Sequence, residues 1–157
     1  MQSYHTKLLQ LAKENFSDEV GILVDLHSWE IDVIIGKGNM VKMSWNMEAY
    51  AKLAYYRKNT LLFMHNHQSS GTFSGEDFKM FCKYPSLYMM TVVGNDGTVY
   101  VLQKLFNFEP NIALSYYFER ANYYKSLGKL NDATLAMRDL LKEVFNYGLY
   151  YKRGVKV

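Results

Sequence analysis

Thr60-Leu61-Leu62-Phe63-Met64-His65-Asn66-His67, followed six residues later by Ser74-Gly75-Glu76-Asp77, is the stretch on which the reading of this chain turns. Residues 60–65 are almost continuously apolar, the pattern of a central strand covered on both faces. A polar loop follows over 66–73, with two serines and Gly71. Ser74 then opens a helix predicted to run to Lys83. Side chains at i and i+2 of a strand end project to the same face, so the imidazoles of His65 and His67 can reach one ion. Asp77 falls in the first turn of the helix, after a loop short enough to fold back over the histidines. Two neutral imidazoles and one carboxylate suit zinc, and three protein ligands plus a water are the arrangement of a catalytic site. The ion lowers the pKa of such a water to about 7, which makes hydroxide available at neutral pH.

Outward from this stretch, the pattern alternates between helix and strand. Tyr4, Leu8, Leu11 and Ala12 recur at helical spacing and predict a first helix over about 3–15. Glu19 to Leu26 (EVGILVDL) and Ile31 to Gly36 read as strands, and Met40 to Ser44 as a weaker third. Asn46 is a candidate N-cap for a helix from Met47 to about Arg57. Leu87–Val93 and Thr98–Gln103 form two strands joined by Asn95-Asp96-Gly97, a strong hairpin signal. After Phe106 two helices are expected, 111–127 and 130–146, broken at Gly128. The basic tail from Tyr150 onward has no strong pattern. The expected organisation is a mixed body over 1–106 and a C-terminal helical hairpin with its tail over 107–157.

A metal-bound water needs a group that moves its proton to the leaving amine. A carboxylate at a neighbouring strand edge would serve, and Glu19, opening the first strand, is the best placed; Glu14 and Asp18 are its rivals. Taken together, Glu19-Val20-Gly21-Ile22-Leu23, His65-Asn66-His67 and Ser74-Gly75-Glu76-Asp77 resemble the JAMM (JAB/MPN) metalloprotease family, most of all its bacterial and phage JAB-like domains. The resemblance covers about residues 1–106. It implies Glu19 as general base, His65, His67 and Asp77 as zinc ligands, and Ser74 as a stabiliser of the oxyanion. It also implies an α/β (α+β-like) fold with a mixed, curved sheet flanked by helices, and hydrolysis of an amide in a peptide or protein substrate. Two positions depart from the family pattern. Gln68 follows the second histidine where proline is usual, and nine residues separate His67 from Asp77, one fewer than the commonest spacing. The alternatives are a non-catalytic JAB-like interaction module and a hydrolase of small-molecule amides.

Each motif also has a plainer meaning. Ser-x-x-Asp before a helix is commonly a cap, and His5 and His27 read as surface or structural histidines. Cys82 shares an apolar helix face with Phe78 and Phe81 and reads as core. The adjacent letters His-Asn-His do not make an HNH nuclease, whose residues are spread over a ββα unit, and a zinc deaminase would need a Cys-x-x-Cys that is absent. The chain holds 14 tyrosines, seven of them from Tyr116 onward. They serve packing, or a protein partner on the C-terminal hairpin.

Composition bounds the rest. A chain of 157 residues with 49% hydrophobic and 21% charged residues suits one folded domain rather than disorder. Net charge is +3, with four arginines and no basic run, so no nucleic-acid partner is expected. A single cysteine excludes an internal disulfide and a thiolate cluster. The polar N-terminal stretch and the lack of a long apolar run predict no signal peptide, no membrane span and a cytoplasmic protein.

Overall fold

The computed structural model describes residues 1–15, 18–69 and 71–156, so Ser70, one of the two loop serines, lies outside the described residues. The chain runs through α1 (Gln2–Glu14), β1 (Val20–Asp25), β2 (Ile31–Ile35), α2 (Met47–Tyr55), β3 (Leu61–Asn66), α3 (Gly75–Lys83), β4 (Leu87–Val93) and β5 (Thr98–Lys104). It ends with α4 (Pro110–Ser126), α5 (Asp132–Lys142) and β6 (Leu149–Lys156). The strands form one mixed sheet in the order β2-β1-β3-β4-β5-β6. Only β3 and β4 pair in parallel, and α3 makes the crossover between them. The protein is therefore of the α/β class.

Both inner strands are buried along their whole length, and their alternate residues feed two separate cores. Val20, Ile22, Val24, Leu62 and Met64 face α1, where they meet Leu8 and Ala12. Leu23, Leu61 and Phe63 face the other side and join a larger core with Leu53, Phe78, Phe81, Ala113, Met137 and Leu140 from the other four helices. Helices thus cover both faces of the sheet. Local signals act where they were read: the Asn46 side chain caps α2 by accepting from Ala49 N–H at 3.1 Å. Gly97, at φ 79°, closes the β4–β5 hairpin in the left-handed region that favours glycine.

Two expectations are corrected. Residues 40–44 are not a strand. Lys37 and Met40 exchange backbone hydrogen bonds around Gly38-Asn39, and the chain then enters a short 3-10 turn at Met43–Trp45, anchored by the buried Met43. The tail from Tyr150 is not patternless in structure, because residues 149–156 pair antiparallel with β5. The adjacent Lys152 and Arg153 hide the alternation, and the open edge of β5 supplies the order that the tail's own composition lacks. The hairpin helices share the larger core with the sheet, and the Arg120–Asp139 ion pair (3.0 Å), with the Tyr124 hydroxyl donating to the same carboxylate (2.6 Å), ties α4 to α5. No described helix is long and apolar enough to cross a membrane.

His5 is buried on α1, 2.8 Å from the Thr91 hydroxyl of β4. Burial, and after it the N-terminal ammonium, pushes its pKa down from 6.5 to about 4. The folded state therefore holds His5 neutral while the unfolded chain binds a proton as the pH falls below 6.5. This contribution is complete above the unfolded value and is lost as the pH falls through the folded one, on the order of 3 kcal/mol in all. Urea unfolding between pH 7 and pH 4 should show the loss, and His5→Gln, whose amide can still bond Thr91 but does not titrate, should flatten it. Equal pH slopes for the two proteins would remove His5 from the account.

Candidate metal centre

Antiparallel pairing of β1 with β3 sets Gly21 against His65. Continued by two residues, that register brings Glu19 opposite His67. Alternate residues share a face, so Glu19, Gly21, His65 and His67 all lie on the side of the sheet that carries Phe63. A Cβ on Gly21 would stand 2.6 Å from the Phe63 ring. The missing side chain thus makes room for that ring, against which His65 stacks at 5.0 Å and 10°. The Glu19 backbone is clamped on both sides: its N–H donates to the Gly38 carbonyl at 2.8 Å and its carbonyl accepts from Gly36 N–H at 2.9 Å.

The third group arrives from α3. Ser74 is its N-cap: the Ser74 hydroxyl oxygen accepts from Asp77 N–H at 3.1 Å, and the Asp77 carboxylate accepts from Ser74 N–H at 2.8 Å. The plain capping meaning of Ser-x-x-Asp is therefore realised, and it also aims the carboxylate. Asp77 Oδ1 lies 3.1 Å from His65 Nε2, Asp77 Oδ2 lies 3.2 Å from His67 Nε2, and the two Nε2 atoms are 3.1 Å apart. With one donor atom taken from each residue, the three lie within 4.8 Å of one another, close enough for a single cation to reach all of them. His65, His67 and Asp77 form the one such ligand group among the described residues.

Charge is distributed accordingly. Burial alone would raise the pKa of Asp77, but the two imidazoles outweigh it and hold the carboxyl well below its usual range. Burial likewise opposes protonation of His67. Its bond to Asp77, the charges of Asp77 and Glu19, and the Gly71 carbonyl together raise its pKa. Burial pushes the Glu19 carboxyl up, against the pull of both imidazoles and the Gln68 N–H. Metal-bound histidines ordinarily donate their second ring N–H to a fixed acceptor. His67 has the Gly71 carbonyl for this, whereas the buried His65 Nδ1 has no partner among the described residues, and the Phe63 ring holds that imidazole instead.

Glu19, His65, His67, Ser74 and Asp77 all line one cleft of about 1170 Å³. The rival carboxylates do not: Glu14 is exposed at the end of α1, and Asp18 accepts from Gly38 N–H at 3.0 Å. His27 sits in the exposed β1–β2 turn, and burial pushes the Cys82 thiol up to about 12, which suits its place in the core. Sequence reasoning missed three supports: Gly21, Phe63 and Tyr117. A glycine inside an apolar strand was the available signal for the first, since it marks a close approach. Comparison of the chain with protein-family models, with curated proteins and with solved structures finds no match.

Tyr117 is a buried residue of α4 whose ring meets Phe78 edge-on at 5.8 Å. Its hydroxyl lies 2.0 Å from where a Cβ on Gly75 would stand, beneath the first turn of α3. The contact sets the height of that turn, and so of Asp77, above the histidines. Gly75→Ala should therefore cost about 1–3 kcal/mol of stability by overpacking and weaken zinc binding at the same time. Adding Tyr117→Phe, which keeps the ring in the core and removes the hydroxyl that the new methyl would meet, should restore part of both, as residues in direct contact couple. Thermal unfolding and zinc titration of the two variants read this out, and an unchanged zinc affinity in Gly75→Ala would refute the buttress.

Proposed function

We propose that this protein is a zinc-dependent hydrolase of amide bonds of the JAMM (JAB/MPN) type. The observation that carries the reading is the convergence of two imidazole nitrogens and a carboxylate, whose donor atoms lie within 4.8 Å of one another, with Glu19 in the same cleft. The arrangement of elements supports it as well: a strand introduced by a buried glutamate lies antiparallel to the strand that ends in the histidines, and a loop and helix return the aspartate. Zinc held by His65, His67 and Asp77 would supply a Lewis acid and a water acidified to near neutrality.

The chain's own residues divide the remaining work. Glu19 is buried, faces His67 across the strands and has its pKa raised by burial, which suits a carboxylate that accepts a proton and returns it to a leaving amine. Asp77 contributes the negative charge that favours a cation between the imidazoles. The Ser74 hydroxyl accepts from Asp77 N–H through its oxygen, which leaves its own proton to donate to an oxyanion at the cleft wall. The cleft, about 1170 Å³ and open to solvent, has room for an extended peptide.

Protein purified without chelator should hold about one zinc per chain by elemental analysis, since one ligand group is present among the described residues. His65→Ala and His67→Ala should each lose it. Full retention in both variants would rule out this centre.

Glu19→Gln separates the base from the ligands. It should keep the fold and the zinc while lowering turnover of an amide substrate by about two to four orders of magnitude. A variant that stays fully active would move the base elsewhere.

A further inference from the structure

We infer that the cleft takes an extended peptide with acidic side chains on one side of the bond presented to the centre, an inference that rests on the hydrolase reading above. Glu76, Lys79, Met80 and Lys83 recur at the spacing of one helix face and all line the cleft, so this face of α3 forms a wall leading away from Asp77. The six-residue step from Asp77 to Lys83 rises about 9 Å, the reach of about three residues of extended chain. The loop after β2 lines the cleft as well and contributes Lys42, which is exposed with its ammonium 5.7 Å from the Trp45 ring. Both Lys42 and Lys83 are exposed, and neither makes an ion pair with a carboxylate among the described residues.

The charges of the lining residues decide the class of occupant. At the centre, Glu19 and Asp77 bring two negative charges, which a divalent ion balances. Apart from the centre, the charged residues that line the cleft are Lys42, Lys79, Lys83 and Glu76, and Glu76 is already paired with Lys79 at 2.8 Å. The lining is left with the positive charges of Lys42 and Lys83 beside the apolar Met40, Val41 and Met80. A neutral centre with a cationic, partly apolar lining complements a peptide with carboxylates two to three residues from the bond. A neutral or basic segment gains nothing from these lysines, and a basic one is repelled.

Zinc-loaded Glu19→Gln protein, titrated calorimetrically with short acetylated and amidated peptides, tests this without turnover. The peptides are identical except for two positions, on the amino or the carboxyl side of the central bond, that hold Glu, Gln or Lys. On one side the Glu peptide should bind about three- to tenfold tighter than the Gln peptide, as expected for two partly exposed ion pairs, and the Lys peptide should bind worst. Raising the salt from about 50 to about 300 mM should remove most of the preference. Lys42→Ala/Lys83→Ala should abolish it while keeping the circular dichroism spectrum and zinc content of the parent. Equal affinities for the three peptides, no binding by any, or a preference that survives in the double variant would each overturn the inference. Zinc content of the same samples is a separate readout: its absence sinks the hydrolase reading, whereas zinc without charge preference sinks this inference alone.

Discussion

The antiparallel register that sets Gly21 against His65 is the constraint on which the centre depends. A slip of one residue between β1 and β3 would turn every side chain of one strand to the opposite face. Glu19 would then point toward α1 while the histidines stayed on the α3 side. What forbids the slip is apolar: Val20, Ile22 and Val24 meet Leu62 and Met64 on one face, and Leu23 meets Leu61 and Phe63 on the other. Both strands are buried throughout, so either alternative register would expose or misplace several large side chains at about 25 cal/mol per Å². The polar groups of the cleft are thus located by hydrophobic patterning around them.

Asp77 then brings a negative charge into a partly buried place beside two imidazoles, where an isolated carboxylate would be costly. Three features offset that cost: the Ser74 N–H, the positive end of α3, and the two imidazole nitrogens. The same geometry that caps the helix therefore aims a carboxylate into the cleft. Glu19, left with fewer compensating contacts and a buried surround, is pushed the other way. Two carboxyl groups lining the same cleft as the histidines thus end with opposite pKa shifts.

The C-terminal third of the chain supplies support from the far side. Tyr117 of α4 sits under Gly75, and Tyr151 of β6 stacks on Tyr100, meets Phe73 edge-on and lies 3.3 Å from the Thr72 hydroxyl. The loop between His67 and Ser74 is thereby held at its end nearer α3. Many of the tyrosines after Tyr116 take part in such packing, including the stacked pair Tyr116–Tyr147 at 4.7 Å. Others stand open to solvent, Tyr123 at 47% and Tyr150 at 37% exposure.

From the sequence alone, nearly every helix and strand was legible, because apolar periodicity and caps such as Asn46 and Ser74 act within a few residues. The candidate ligands were legible too, since His65 and His67 share a strand face by spacing alone and Asp77 follows in a helix first turn. What the linear order could not decide was anything that depends on distant partners. The strand at 149–156 exists because β5 has an open edge, and the turn at 43–45 exists because Gly38 reverses the chain and Met43 is buried. The roles of Gly21 and Gly75 come from the aromatic rings that occupy the space their side chains lack. Glu19 stood first among three nearby acids by its place at the strand start, but that it alone of the three lines the cleft with His65 and His67 follows from the register and the neighbours that tertiary packing gives it.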